Sequence, residues 1–170
     1  SLRHGHADCV LLALPFPCGD VETEVLFTDA LYVAFPPGEH RGPPERITPD
    51  MIDGDRLLLL EDGHCLKDHA LAACNRTELH GEAAIMGTSL HTLVQMVDNG
   101  LGVTLLPEKA IQGGILAKTQ IEVRPIRSAN AKRDIALIWR RNSPREADFR
   151  MMADILRKAA ERQKHEKAAA

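Results

Sequence analysis

The chain has 170 residues, 44% hydrophobic and 26% charged, enough to pack a core in one domain or in two small lobes. A formal net charge of −3 and an aromatic content of 4% argue against a nucleic-acid-binding field and against stacking platforms for single strands. No apolar run approaches the roughly 20 residues of a membrane span and no signal-peptide pattern opens the chain, so the expected compartment is cytoplasmic, without membrane contact.

In chain order, Asp8 followed by Cys9-Val10-Leu11-Leu12-Ala13-Leu14 predicts a fully buried, parallel strand. Pro15, Pro17 and Gly19 end it. Val21 to Phe27 alternates and Leu31 to Phe35 is apolar, which predicts two strands. Pro36 to Pro44 reads as a proline-rich surface loop. Thr48 and Pro49 open a short helix through Ile52, with Thr48 as N-cap and proline at the first helical position. Arg56 to Leu60 is another buried strand. Ala83 to Met86 follows as a strand, and Thr88 or Ser89 caps a helix from Leu90 to Asp98. Leu90, Leu93, Val94 and Val97 have the helical period, with Gly100 as C-cap. Val103 to Pro107, Ile121 to Ile126 and Ile135 to Trp139 are strands, the last two separated by a polar turn. Arg145 to Lys164 closes the chain as an amphipathic helix whose apolar face carries Phe149, Met152, Ile155, Leu156 and Ala159. Strands alternating with helices predict an α/β fold with a largely parallel sheet. A buried strand at the start, without a preceding β–α partner, is what a fragment of a domain would show.

The chemistry concentrates in Glu61-Asp62-Gly63-His64-Cys65 and the helix-forming run Leu66 to Ala73, which ends at Cys74. Cys65 falls in the first turn, where free backbone N–H groups and the helix dipole favour a thiolate. Along one straight helix, nine residues at about 1.5 Å each separate the two cysteines by roughly 13 Å, and nine steps of about 100° put them on opposite faces. A disulfide needs Cα atoms about 4.4–6.8 Å apart. The two thiols can therefore join only if the helix is lost. Four cysteines also permit two disulfides of a secreted domain, but in a reducing compartment they are more often buried, metal-bound or reactive. Cys9 and Cys18 read most simply as core and loop residues. His64, Cys65, His69 and Cys74 offer metal-ligand types, yet Cys74 cannot join the others without unwinding and there is no C-x-x-C, so no metal and no cofactor is expected.

The stretch Leu60-Glu61-Asp62-Gly63-His64-Cys65-Leu66-Lys67-Asp68-His69-Ala70-Leu71-Ala72-Ala73-Cys74 resembles the redox region of the OxyR family, the peroxide-sensing branch of the LysR-type transcriptional regulators. Thr88 to Val97, Gly100-Leu101-Gly102-Val103-Thr104-Leu105-Leu106-Pro107, Arg133 to Trp139 with Ser143-Pro144, and Asp8 to Ala13 are similar to the effector domain of the wider family. The resemblance implies two Rossmann-like lobes of periplasmic-binding-protein type. Lobe I would comprise residues 1–28 and 133–170, incomplete at its N-terminus. Lobe II would comprise 29–132, with the redox region at 61–80. The winged helix-turn-helix that reads DNA in this family is absent from the chain.

The resemblance further implies a sensing, peroxidatic Cys65 that becomes a sulfenic acid, a resolving Cys74 that closes the disulfide, and a histidine, His64, at the site. Arg133 is similar to the family's arginine near the reactive thiolate, which a cation would stabilise. Asp68, at i+3 from Cys65, is a candidate for orienting water or moving a proton, or simply a solvated acid on the helix face. Thr88 and Ser89 are effector-cleft candidates, since a helix N-terminus suits an anion, although plain N-capping explains them. The expected partners are hydrogen peroxide, a glutaredoxin- or thioredoxin-type reductant and further copies in a homodimer or homotetramer. Promoter DNA and RNA polymerase would be reached only through the full-length protein. The expected function is stoichiometric sensing rather than enzymatic turnover. The alternatives are a small-molecule-binding LysR-type effector domain with incidental cysteines, and a thiol peroxidase.

Overall fold

The computed structural model describes residues 2, 6–39, 47–62, 65–76 and 85–168, with side chains through residue 162. Its strands are β1 (Cys9–Leu14), β2 (Val21–Phe35), β3 (Leu59–Leu60), β4 (Met86–Gly87), β5 (Thr104–Pro107), β6 (Glu122–Pro125) and β7 (Lys132–Arg140). Its helices are α1 (Cys65–Ala73), α2 (Leu90–Asp98), α3 (Glu108–Gln112) and α4 (Glu146–Ala168), with short 3₁₀ turns at Pro49–Met51 and Gly54–Arg56. The chain divides into two compact units: Ser1–Thr28 with Asp134–Ala170, and Asp29–Arg133.

In the first unit β7 is the central strand. Leu137 and Trp139 face one cluster with Leu26, Phe149 and Ala153, while Ala136 and Ile138 face another with Leu2. Both faces are covered, which is why Ile135 to Trp139 is apolar without alternation. β1 pairs with β7 antiparallel, Cys9 opposite Trp139 and Leu14 opposite Asp134. This corrects the expected buried parallel strand: Leu11 is 54% exposed, and Ala13 is the buried residue of β1. An apolar run does not encode strand direction, which is set by the partner.

The buried stripe of α4 is also narrower than its hydrophobic pattern. Phe149 packs on Trp139 with ring centroids 5.7 Å apart, and this anchor sets the rotation of the helix. Ala153 and Leu156, one and two turns on, follow it inward. Met152, Ile155 and Ala159, expected on that face, point outward.

The second unit holds the larger core. The C-terminal half of β2 lies between β5 and β6, antiparallel to both, with Leu31 opposite Pro107 and Phe35 opposite Glu122. β3 and β4 are parallel, and Leu57 bridges Val103 in parallel. The pairing is therefore mixed rather than largely parallel. β2 is one 15-residue strand where the sequence suggested two, because the polar residue at the suspected break, Asp29, is buried and satisfied. Helices α1 and α2 cover this core with Leu66, Ala70, Leu71, Leu93, Val94 and Val97 against Leu57 to Leu60, Leu105 and Leu106. The glycine-rich connection is sterically fixed at Gly102, where a Cβ would collide with the carbonyl oxygen of Arg56. Leu58 N–H donates to the Val103 carbonyl at 2.8 Å and Val103 N–H to the Arg56 carbonyl at 2.9 Å, so the backbones meet at ladder distance.

Truncating Phe149 to alanine should cost about 3–5 kcal/mol of unfolding free energy. Ile155→Ala, at a side chain 62% exposed, should stay within about 0.5 kcal/mol. Urea denaturation of the two variants checks the rotation of α4.

Candidate functional site

Helix α1 is built from strong helix formers, Leu66, Ala70, Leu71, Ala72 and Ala73. Of its nine residues, Leu66, Lys67, His69, Ala70, Leu71 and Ala73 are buried. It begins at Cys65, which is half-buried. Its other end is closed by a Schellman arrangement. Arg76 N–H donates to the Leu71 carbonyl at 2.9 Å and Asn75 N–H to the Ala72 carbonyl at 3.2 Å, with Asn75 at φ 53°. Cys74 is thus the C-cap residue, 1% exposed. The end is tied down further by Asn130, whose side-chain amide donates to the Ala72 carbonyl at 3.4 Å. The sequence signal for this stop was an asparagine directly after the Ala–Cys run, and the reading from sequence did not use it.

The two thiols sit at opposite ends of this helix, about 13 Å apart along its axis by helical rise, and both are free. Burial in the apolar core of the second unit removes the Cys74 sulfur from water. Desolvation pushes its thiol up from an ordinary 9.0 to about 12, partly opposed by the positive charge of Arg76. Cys74 also borders an open depression of ≈ 270 Å³ with Pro49, Asp50, Asn75 and Arg76. The neutral thiol is therefore the resting form of Cys74.

Asp68 is on the exposed side of α1. His64 lies outside the described residues. Lys67, which the sequence reading did not single out, is buried in α1 and donates to Asp62 Oδ1 at 2.6 Å. Arg133 is committed to a carboxylate: its Nη2 and Nε donate to Asp29 Oδ2 at 3.0 and 3.3 Å. Asp29 is 1% exposed, and its other oxygen accepts from Lys109 N–H at 3.0 Å. One buried acid thereby joins β2, β7 and the first turn of α3. Its signal in the sequence was an aspartate inside an otherwise strand-like run. Ser89 caps α2, its Oγ accepting from Thr92 N–H at 3.1 Å, and Thr88 is exposed. Among the described residues no three His, Cys, Asp or Glu side chains converge in a way that would hold a metal ion, and no helix is long and apolar enough to cross a membrane.

The arrangement is an accessible thiol at a helix start, a shielded thiol at the same helix's end, and no route between them while the helix stands. Residues 1–161 match the family model of the LysR substrate-binding domain. The chain belongs to the LysR substrate-binding-domain family. The mixed α/β pairing described above is that fold, of periplasmic-binding-protein type.

Among solved structures, the chain is similar to the reduced regulatory domain of OxyR2 from Vibrio vulnificus, at 36% identity and a TM-score of 0.82, covering 92% of this chain and 74% of that one. It is also similar to the reduced OxyR regulatory domain of Pseudomonas aeruginosa, at 35% identity and a TM-score of 0.76, covering 92% and 75%. Among curated relatives it is 38% identical over 158 residues to the transcriptional regulator EstR of Acinetobacter baylyi, covering 92% of this chain and 52% of EstR. To the dual regulator OxyR of Escherichia coli it is 31% identical over 162 residues, covering 92% and 51%. The chain thus spans about half the length of the curated relatives it matches.

Shielding should separate the thiols in rate. In the reduced protein at pH 8, iodoacetamide should label Cys65 at least about tenfold faster than Cys74, read by peptide mass spectrometry. The raised Cys74 thiol also fixes a pH dependence. The folded state keeps a proton that the unfolded chain releases above about pH 9, so this contribution is intact below pH 9 and is lost as pH rises towards 12. The fall of unfolding free energy above pH 9 should be shallower in Cys74→Ser.

Proposed function

We propose that the chain is the redox-sensing regulatory domain of a hydrogen-peroxide-responsive LysR-type transcription regulator. The observation that carries this reading is the placement of Cys65 and Cys74 at the two ends of α1, one half-exposed and one buried. The similarity to OxyR regulatory domains supports it.

The chemistry balances as two electrons from two thiols. The Cys65 thiolate attacks one peroxide oxygen, the O–O bond breaks, and the departing hydroxide takes a proton to leave as water, giving a sulfenic acid. The Cys74 sulfur then attacks the sulfenic sulfur, the S–O bond breaks, and the departing hydroxide takes the Cys74 thiol proton to leave as a second water. For the sulfurs to meet, α1 must unwind, which brings the neutral, buried Cys74 out of the apolar core. Shielding thus keeps the resolving thiol out of reaction until the helix opens. A thiol reductant of glutaredoxin or thioredoxin type restores the dithiol.

In this scheme His64 and Asp68 serve peroxide binding and proton movement at Cys65. The resemblance assigns Arg133 to the thiolate, while its contact in this state is Asp29. Ser89 serves α2 as its cap, and Thr88 stands exposed just ahead of it. The unit Asp29–Arg133 corresponds to lobe II and the remainder to part of lobe I. The whole regulator would add a winged helix-turn-helix, assemble as a homodimer or homotetramer, and carry the change in α1 to promoter DNA and RNA polymerase.

The match to the LysR substrate-binding-domain model favours a second reading, an effector domain that binds a small molecule and whose cysteines are incidental. Near-stoichiometric peroxide followed by disulfide mapping separates the two. A Cys65–Cys74 bond is expected, and its absence overturns redox sensing. Sustained peroxide turnover with a dithiol reductant would instead identify a peroxidase. In Cys74→Ser, dimedone should trap the sulfenic acid at Cys65, and labelling of Cys9 or Cys18 in its place would refute the sensor assignment.

A further inference from the structure

Lys67 is a buried charge on the segment between the two thiols, and the sensing chemistry does not use it. It is 5% exposed, and beside Leu58, Leu60, Leu66 and Thr104 it lines a cavity of ≈ 10 Å³, about the space of one water. Its ammonium meets Asp62 Oδ1 at 2.6 Å, from an acid whose side chain is 86% exposed and which stands just before α1. A buried ammonium is costly unless a carboxylate compensates it. That cost exists only while α1 is folded into the core. Once the helix unwinds, Lys67 returns to water and the cost disappears.

We infer that the Lys67–Asp62 ion pair is a clasp that sets the redox poise of the Cys65/Cys74 couple. The inference rests on the disulfide reading above. Lys67 biases the protein towards the unwound, disulfide-bonded state, and Asp62 holds that bias in check by compensating the ammonium in the reduced state. The two residues are positioning residues for α1. Removing one charge or the other should therefore move the equilibrium in opposite directions. Asp62→Asn leaves the ammonium buried without its carboxylate, weakens the reduced state and makes the disulfide harder to reduce. Lys67→Met keeps the length of the side chain, removes the buried charge and makes the disulfide easier to reduce.

The test is a redox titration of the Cys65–Cys74 disulfide against reduced and oxidised dithiothreitol, read by thiol alkylation and mass spectrometry. Asp62→Asn should shift the equilibrium constant about tenfold towards the disulfide, or about 30 mV. Lys67→Met should shift it about tenfold the other way. Adding Asp62→Asn to Lys67→Met should shift the equilibrium less than Asp62→Asn does alone, since the buried charge it compensated is gone. Shifts of the same sign, no shift, or an Asp62→Asn effect as large in the Lys67→Met background as in the wild type would overturn the clasp. Should Asp62→Asn not fold, Asp62→Glu, expected near wild type, and Lys67→Met still decide the sign. A wild-type protein that forms no Cys65–Cys74 bond would instead remove the sensing reading itself. A normal disulfide with unmoved equilibria removes only the clasp.

Discussion

The burial of one face of α1 in the core of the second unit is the constraint on which the rest depends. Leu71 and Ala73 are fully buried, with Leu66, Ala70 and Cys74 beside them. Full burial of one leucine is worth about 1.5–3 kcal/mol, and these side chains act together because they share one helix. That packing keeps the helix formed, and the helix keeps Cys65 and Cys74 about 13 Å apart. Separation, shielding of Cys74 and suppression of its ionisation are three consequences of the same contact.

Two polar devices trim this apolar scaffold. At the end of α1, Asn75 in the left-handed region and the amide of Asn130 satisfy the last carbonyls, so the helix stops at Cys74 rather than running past it. At the base of the unit, Asp29 receives Arg133 and the backbone of Lys109, which secures the two strands by which the chain enters and leaves this unit. Both devices satisfy buried or terminal polar groups that would otherwise favour water. Lys67 differs in kind. It places a charge inside the helix that the scaffold holds closed, so the folded α1 contains an element of its own instability, offset by Asp62.

Much of the fold was legible. The 3.6 period of Leu90, Leu93, Val94 and Val97 marked α2, and Ser89 ahead of it is the cap. The run Ile135 to Trp139 marked a strand, and the structure covers it on both faces. The errors share one cause. Strand direction in β1, continuity through Asp29 in β2 and the outward turn of Met152 and Ile155 in α4 all depend on the partner an element finds. A sequence window around the element does not contain that partner. Hydrophobicity reports that a residue can be buried, and the neighbouring element decides whether it is.

For the candidate site the division is similar. The sequence by itself determined that Cys65 and Cys74 end a run of strong helix formers, and therefore that an intact helix holds them apart, because rise and turn per residue are local properties of the backbone. The sequence also placed Cys74 on the core face beside Leu71; tertiary structure alone decided how completely it is shielded, that Arg133 meets Asp29, and that Lys67 is buried. Desolvation and charge pairing arise from groups such as Leu58, Val97, Arg133 and Thr104, distant along the chain and brought to the site only by folding.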